Sequence, residues 1–356
     1  MGCAGFGEPS LLFCRRILHW PSTGRGCGDL NGRQHRHIQA IDRSGRYDRP
    51  MLHLTFYLDW IFCAQFAGLI WAQRHGLYRA AGIDVELVPW NDADDRSIVN
   101  KVLAGGICAG CAEDNLIVTA IDERRPVRVV GAMLQDTPLV LMSKPGRGIR
   151  SLADLRGKRI GIHHDGNRAL QMLLALEGIA PAECDIQEVA FDLDHLRFDR
   201  FDALQGYTMT EPVQLASMGI ATTELPLKHP RLLPYAQTYF ASQSTIDAHR
   251  AELCAFLHAS HDGWRAALAQ PDEAAALLTA TDEHPSTMDA SARLAEHRAM
   301  LARVAPLVAG SRSTAEIGRI DRVQWSANLS TYAAHGLTQH RLLVEGVVED
   351  LSGRSE

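Results

Sequence analysis

The sequence predicts an α/β protein made of two successive α/β units followed by a helical tail. Three observations predict it. From Leu52 to about Leu227, short runs rich in β-branched residues alternate with stretches of helical period. The alternation stops once, at the turn-rich Gly146–Gly157, and then restarts. From Asp247 onward the apolar spacing is almost entirely helical.

In the first unit, Leu54–Leu58 reads as a strand ending at Asp59-Trp60. Residues 64–80 read as a helix that stops before Gly82, and Ile83–Pro89 as the next strand, which makes a βαβ opening. Ser97–Ala104 is a short helix, Ile107–Gly110 a small buried strand and Asn115–Glu123 a helix. Val127–Leu134 and Pro138–Ser143 are β-branched apolar runs that read as strands. The second unit repeats the alternation. Lys158–Ile162 is a strand, Arg168–Glu177 a helix, Asp185–Ala190 a strand and Phe201–Tyr207 a strand with its approach. Pro212–Met218 is helical, Thr222–Leu227 is strand-like, and Tyr235–Ala241 returns to extended structure. Amphipathic helices are expected over 247–269, 271–281, 286–304 and 339–349.

Composition narrows the function. The chain has 356 residues, 46% of them hydrophobic, and a formal charge of −6. It carries no basic field for a phosphate backbone, so no nucleic-acid partner is expected. No apolar run approaches the roughly 18 residues that span a bilayer, so no membrane insertion is expected. The eight cysteines are scattered, with one close pair, Cys108-Ala-Gly-Cys111. A lone pair lacks the four ligands of tetrahedral zinc, and small buried packing residues are expected there. His163 and His164 are adjacent on one strand and point to opposite faces, so no metal site is expected. Residues 1–50 lack sustained periodicity and are expected to be a disordered leader or to precede the true start near Met51. No secretory signal is legible, which places the chain in the cytoplasm as it stands, or in the periplasm if the true start supplies a signal.

The stretch Phe56–Leu87 carries Asp59-Trp60 at a strand end, then Ala72, Gly76-Leu77-Tyr78 and Gly82-Ile83-Asp84-Val85. Ser151-Leu-Ala-Asp-Leu-Arg-Gly-Lys-Arg-Ile-Gly-Ile162 and Asp202-Ala-Leu-Gln-Gly-Tyr207, followed by Glu211-Pro212, are two later blocks. Together they resemble the substrate-binding proteins for thiamine-pyrimidine precursors and the related thiamine pyrimidine synthases. The resemblance implies a two-lobed periplasmic-binding-protein-like fold of type II with a helical C-terminal segment. Lobe I would comprise 52–142 plus 238–350, and lobe II 143–237, with the ligand in the cleft between them. An ABC permease is the partner implied for a transporter component.

In the related fungal synthases a lysine holds pyridoxal phosphate, a histidine is consumed to build the pyrimidine, and a cysteine-rich run works with iron. Alignment through Gly105–Val127 puts Ala112 at the lysine and Leu116 at the histidine, and Leu233–Phe240 has no cysteine. Binding without chemistry or cofactor is therefore expected. The alternatives are a diverged synthase using pyridoxal phosphate and iron, and a cytosolic ligand-sensing module.

The expected ligand contacts follow the strand ends. Trp60 stacks on a planar ligand or packs in the core. Phe66, which the resemblance places where the family's binding proteins often carry histidine, does the same. In the trio Glu113-Asp114-Asn115, Asp114 or Asn115 caps the following helix, and another member of the trio faces the cleft. Asp165, Gly166, Asn167 and Arg168 form a strand-to-helix turn, which is either a seat for an anion or an ordinary capped turn. Tyr207 and Glu211 lie on the opposing lobe, where Glu211 either receives a ligand amine or starts a surface helix.

Overall fold

Lobe I is a five-stranded sheet whose central strands are buried on both faces. In the computed structural model, which describes residues 51–91, 96–281, 288–310 and 317–351, its order is β2-β1-β3-β10-β4. The strands are β1 (Leu52–Tyr57), β2 (Ile83–Val88), β3 (Cys108–Ala112), β4 (Val127–Ala132) and β10 (Thr238–Ser242). β1 pairs in parallel with β2 and β3, and β10 returns antiparallel between β3 and β4. Every residue of β3 and β10 is buried, which is why Cys108 and Cys111 are free, buried thiols. The expected leader, residues 1–50, lies outside the described residues.

The helices of lobe I are α1 (Ala67–Arg74), α2 (Leu77–Ala80), α3 (Ile98–Leu103) and α4 (Asp114–Asp122). The helix expected over 64–80 is broken at Gly76, whose φ of 71° is the left-handed conformation that glycine adopts at no steric cost. The long helix α8 (Gln243–Ala269) lies against α1. A Cβ on Gly263 would sit 2.1 Å from the Gly68 carbonyl oxygen, so the two backbones meet directly.

Lobe II is a second five-stranded sheet, ordered β7-β6-β8-β5-β9. Its strands are β5 (Leu139–Ser143), β6 (Arg159–Ile162), β7 (Asp185–Glu188), β8 (Ala203–Tyr207) and β9 (Thr223–Pro226). Its helices are α5 (His164–Leu176), α6 (Asp194–Arg197) and α7 (Glu211–Ser217). β5 pairs antiparallel with β8 and β9, so residues 139–142 belong to lobe II and not to lobe I. The crossing therefore falls between Ala132 and Leu139, earlier than the sequence placed it.

The chain ends in α9 (Pro271–Thr281), α10 (Ala290–Ala309), α11 (Arg322–Ala334) and α12 (Val344–Val347). Two expectations need correction here. The helix foreseen over 339–349 shrinks to the single turn α12, and α11 was not foreseen although it buries Trp325, Leu329 and Tyr332. Among the described residues no helix is long and apolar enough to cross a membrane.

Candidate ligand-binding cleft

The carboxyl ends of both sheets face each other. Asp59 follows β1 and Glu113 follows β3; from lobe II, His163 and Asp165 follow β6, while Tyr207 closes β8 and Glu211 opens α7. Hydrogen bonds cross from lobe to lobe around the cleft. The Tyr207 hydroxyl donates to Glu113 Oε1, Asn115 Nδ2 donates to the Asp165 carbonyl at 3.2 Å, and the Arg168 guanidinium donates to Thr119 Oγ1 at 3.4 Å. Gln237 Nε2 donates to Asp59 Oδ2 at 2.9 Å. Gln205 organises the lobe II side: its Oε1 accepts from the His163 amide at 2.8 Å, and its Nε2 donates to Asp165 Oδ1 at 3.1 Å. The Tyr207 amide donates to Glu211 Oε2 at 2.5 Å.

Burial dominates the electrostatics. It pushes Asp59 up to about 7, with the Asp165 charge adding to it and the Gln237 bond opposing. It pushes Glu211 to about 7 as well, and raises Glu113 well above the ordinary carboxylate range despite the Tyr207 bond. The same desolvation lowers His163. Buried carboxyls without a facing cation hold their protons near neutrality; donors or a positive charge supplied from outside would favour their anions.

One wall is aromatic. Trp60 stacks on Trp90 with centroids 5.3 Å apart and planes at 18°, and the Trp90 amide donates to the Trp60 carbonyl at 3.1 Å. Phe191 of lobe II meets Trp60 edge-on at 5.3 Å and also meets His163 at 5.8 Å. The wall is thus assembled from both lobes.

Of the residues expected from sequence, Trp60, Asn115, Asp165, Tyr207 and Glu211 come together in the cleft. Phe66 does not, since it is fully buried in the lobe I core. Asp114 is a structural tie whose carboxylate accepts the Tyr235 amide at 2.9 Å and the Tyr332 hydroxyl at 2.8 Å. The expected turn 164–168 is the first turn of α5, four residues earlier than the foreseen helix start. Its Gly166 packs against Gln205, where a Cβ would fall 2.3 Å from Oε1. Asn167 turns to Glu188 and Gln171, and Arg168 is exposed at the rim. Sequence reasoning passed over Asp59 and His163 as contacts, and left Glu113 unresolved within its trio. Each directly follows a strand end, a positional signal that could have found them. Trp90 and Phe191 carry the same signal, each directly following a strand expected from sequence, whereas Gln205 and Gln237 carry none.

The family model described as NMT1/THI5 like matches residues 63–274, more than half of the chain. The chain belongs to the NMT1/THI5-like family. A riboflavin-binding protein, RibY of Chloroflexus aurantiacus, is 28% identical over 62% of this chain and 64% of its own length. A 4-amino-5-hydroxymethyl-2-methylpyrimidine phosphate synthase of Legionella pneumophila is 26% identical over 46% of this chain and 51% of its own. The chain thus matches less than two thirds of the length of these relatives. Among solved structures, the periplasmic aliphatic sulphonate binding protein SsuA of Escherichia coli superposes with a TM-score of 0.64 at 15% identity, covering 86% of this chain and 96% of that one. The NMT1/THI5-like chain therefore has the two-lobed fold of periplasmic binding proteins, with the helical C-terminal part that the sequence predicts.

Proposed function

We propose that this NMT1/THI5-like chain binds a small planar nitrogen heterocycle between its lobes, with a thiamine pyrimidine precursor as the first candidate. The observation that carries the reading is the two-lobed aromatic wall, Trp60 on Trp90 with Phe191 from lobe II, set beside buried carboxyls. A flat ring gains stacking on such a wall, and its polar edge gains hydrogen bonds at the strand ends. Because the contacts come from both lobes, binding energy is fully realised only when the cleft is closed. The relatives' names point the same way: one is described by riboflavin, the other by an aminopyrimidine phosphate. Delivery of the bound molecule to an ABC permease is the role that fits the fold.

The synthase reading draws on the Legionella relative. The residues present do not fit the pyridoxal phosphate that the resemblance implies for a synthase: Ala112, buried in β3, offers no amine for an aldehyde, and the carboxyl-rich strand ends disfavour a phosphate. Thermal-shift screening and titration calorimetry against pyrimidines, flavins and small sulfonates test the proposal. Saturable binding of a planar heterocycle is expected; binding of a sulfonate in its place refutes it.

A further inference from the structure

Helix α10 belongs to lobe I by its packing, since Met300, Leu301 and Val304 lie in the apolar cluster that holds Phe66, Leu69 and Leu257. It also reaches across the seam between the lobes. The Arg303 guanidinium donates to Thr208 Oγ1 at 2.8 Å and to Glu224 Oε1, and the Thr208 hydroxyl donates to Glu224 Oε2. Both partners belong to lobe II: Thr208 directly follows β8, and Glu224 lies in β9. Nearer the start of α10, Glu296 accepts from the Ser217 hydroxyl of α7 at 3.4 Å. Met209 of lobe II is fully buried in the same apolar cluster as the helix. At the other end of α10, the Leu307 carbonyl accepts the Gln135 amide at 2.7 Å, and Gln135 lies in the crossing between Ala132 and Leu139.

The helix thus starts at a crossing and runs outward along the seam. At a rise of about 1.5 Å per residue, Arg303 stands roughly 6 Å from Leu307 and Glu296 roughly 16 Å. A rotation of lobe II about the crossing spares the Leu307 bond and pulls the two outer contacts apart. The inner of the two is ionic and charge-assisted, with side chains 37% and 20% exposed for Arg303 and Glu224. A ligand entering the cleft competes for the Tyr207–Glu113 and Asn115–Asp165 bonds, but not for those of Arg303. We propose that α10 is an interlobe latch, in which Arg303 on Glu224 and Thr208 holds the cleft closed before any ligand arrives. Closing the lobes consumes part of a ligand's contact energy, and a latch kept in both states reduces that share, so it raises the apparent affinity. The same contact slows entry and release, because both need the cleft open. This inference goes beyond the heterocycle reading and does not depend on which molecule binds.

The test uses the ligand-free full chain, with spin labels attached through keto amino acids introduced at Glu86 and Gln187. Both residues are exposed, and they lie on β2 and β7, the strands farthest in each sheet from those leading into the crossings. Pulsed electron–electron double resonance reports the distance between them. One short distance is expected to dominate in the wild type. Arg303→Met keeps the apolar stem and removes the charge, and Glu224→Gln removes the opposite charge; each should raise the long-distance population about fivefold. Sodium chloride at about 1 M should open the wild type and leave Arg303→Met unchanged, a response that a merely structural arginine would not give. If thermal unfolding shows that Arg303→Met does not fold, Glu224→Gln and the salt series on the wild type still decide. A wild type that is mainly open, or variants with the wild-type distance distribution, overturn the latch. Variants that open while the wild type ignores salt also overturn it, because the contact is then packing and not an ion pair. No ligand enters the experiment, so its failure leaves the heterocycle reading untouched.

Discussion

Replacing Asp114 by alanine removes the acceptor for two buried donors at once. The Tyr235 amide at 2.9 Å and the Tyr332 hydroxyl at 2.8 Å both end on its carboxyl, which is 1% exposed. An orphaned buried donor costs about 1–3 kcal/mol, so the pair predicts a loss of roughly 2–6 kcal/mol. The ties hold α4 to α11 and to the segment leading into β10, which makes the cost one of global stability. Asp114→Asn keeps the shape and one acceptor, so a smaller loss of about 1–3 kcal/mol is expected. Urea unfolding of both variants measures this, with ligand titration alongside. The ties also give a pH signature. Burial raises Asp114 to about 7 although both hydrogen bonds favour its anion. The unfolded chain releases that proton near the ordinary carboxylate value of 3.8 and the folded chain only near 7, so between the two the folded state binds more protons. Stability therefore falls as pH rises through that window, and Asp59 and Glu211, also near 7, act in the same sense. The unfolding temperature should fall from pH 5 to pH 8, and Asp114→Asn should flatten part of that slope. An alanine variant within about 0.5 kcal/mol of wild type, or one that keeps its stability but loses ligand, refutes the structural assignment.

Trp60→Ala removes the stacked Trp90 contact and the Phe191 edge contact, and should weaken binding of a planar ligand by about 2–4 kcal/mol while the half-buried position leaves the chain folded; unchanged affinity in calorimetry sinks this. Gly263→Ala drives a methyl into the Gly68 carbonyl and should cost about 3 kcal/mol or more as α1 and α8 are forced apart, read as a lowered urea midpoint. Tyr207→Phe deletes the hydroxyl that bridges to Glu113 across the lobes, with an expected loss of about 1–3 kcal/mol in the same unfolding assay. A variant as stable as wild type would show that this bridge contributes nothing.

Much of the fold was legible because it is written in local periodicity. The strands at Leu52–Tyr57, Ile83–Val88 and Arg159–Ile162 stand within a residue or two of the segments that the sequence reads as strands, and α9 covers the residues read from spacing alone. The failures are equally local in cause. Asp165-Gly166-Asn167 has turn chemistry, yet it forms the first turn of α5, with Gly166 packed closely against Gln205. α11 went unread because polar residues interrupt its apolar stripe, and its burial comes from Tyr235 stacking on Trp325 at 5.4 Å.

By itself the sequence determined the alternating α/β plan, the family pattern and the rule that strand ends supply the cleft, since each depends on residues close together in the chain. Only the tertiary structure decided which of Glu113, Asp114 and Asn115 face the opposing lobe. Asp114 meets donors 121 and 218 residues further along the chain, Glu113 meets a hydroxyl 94 residues away, and Asn115 meets a carbonyl 50 residues away. Consecutive helical positions point about 100° apart, so one turn of backbone sends three neighbours to different partners, and the partners exist only after distant segments have packed.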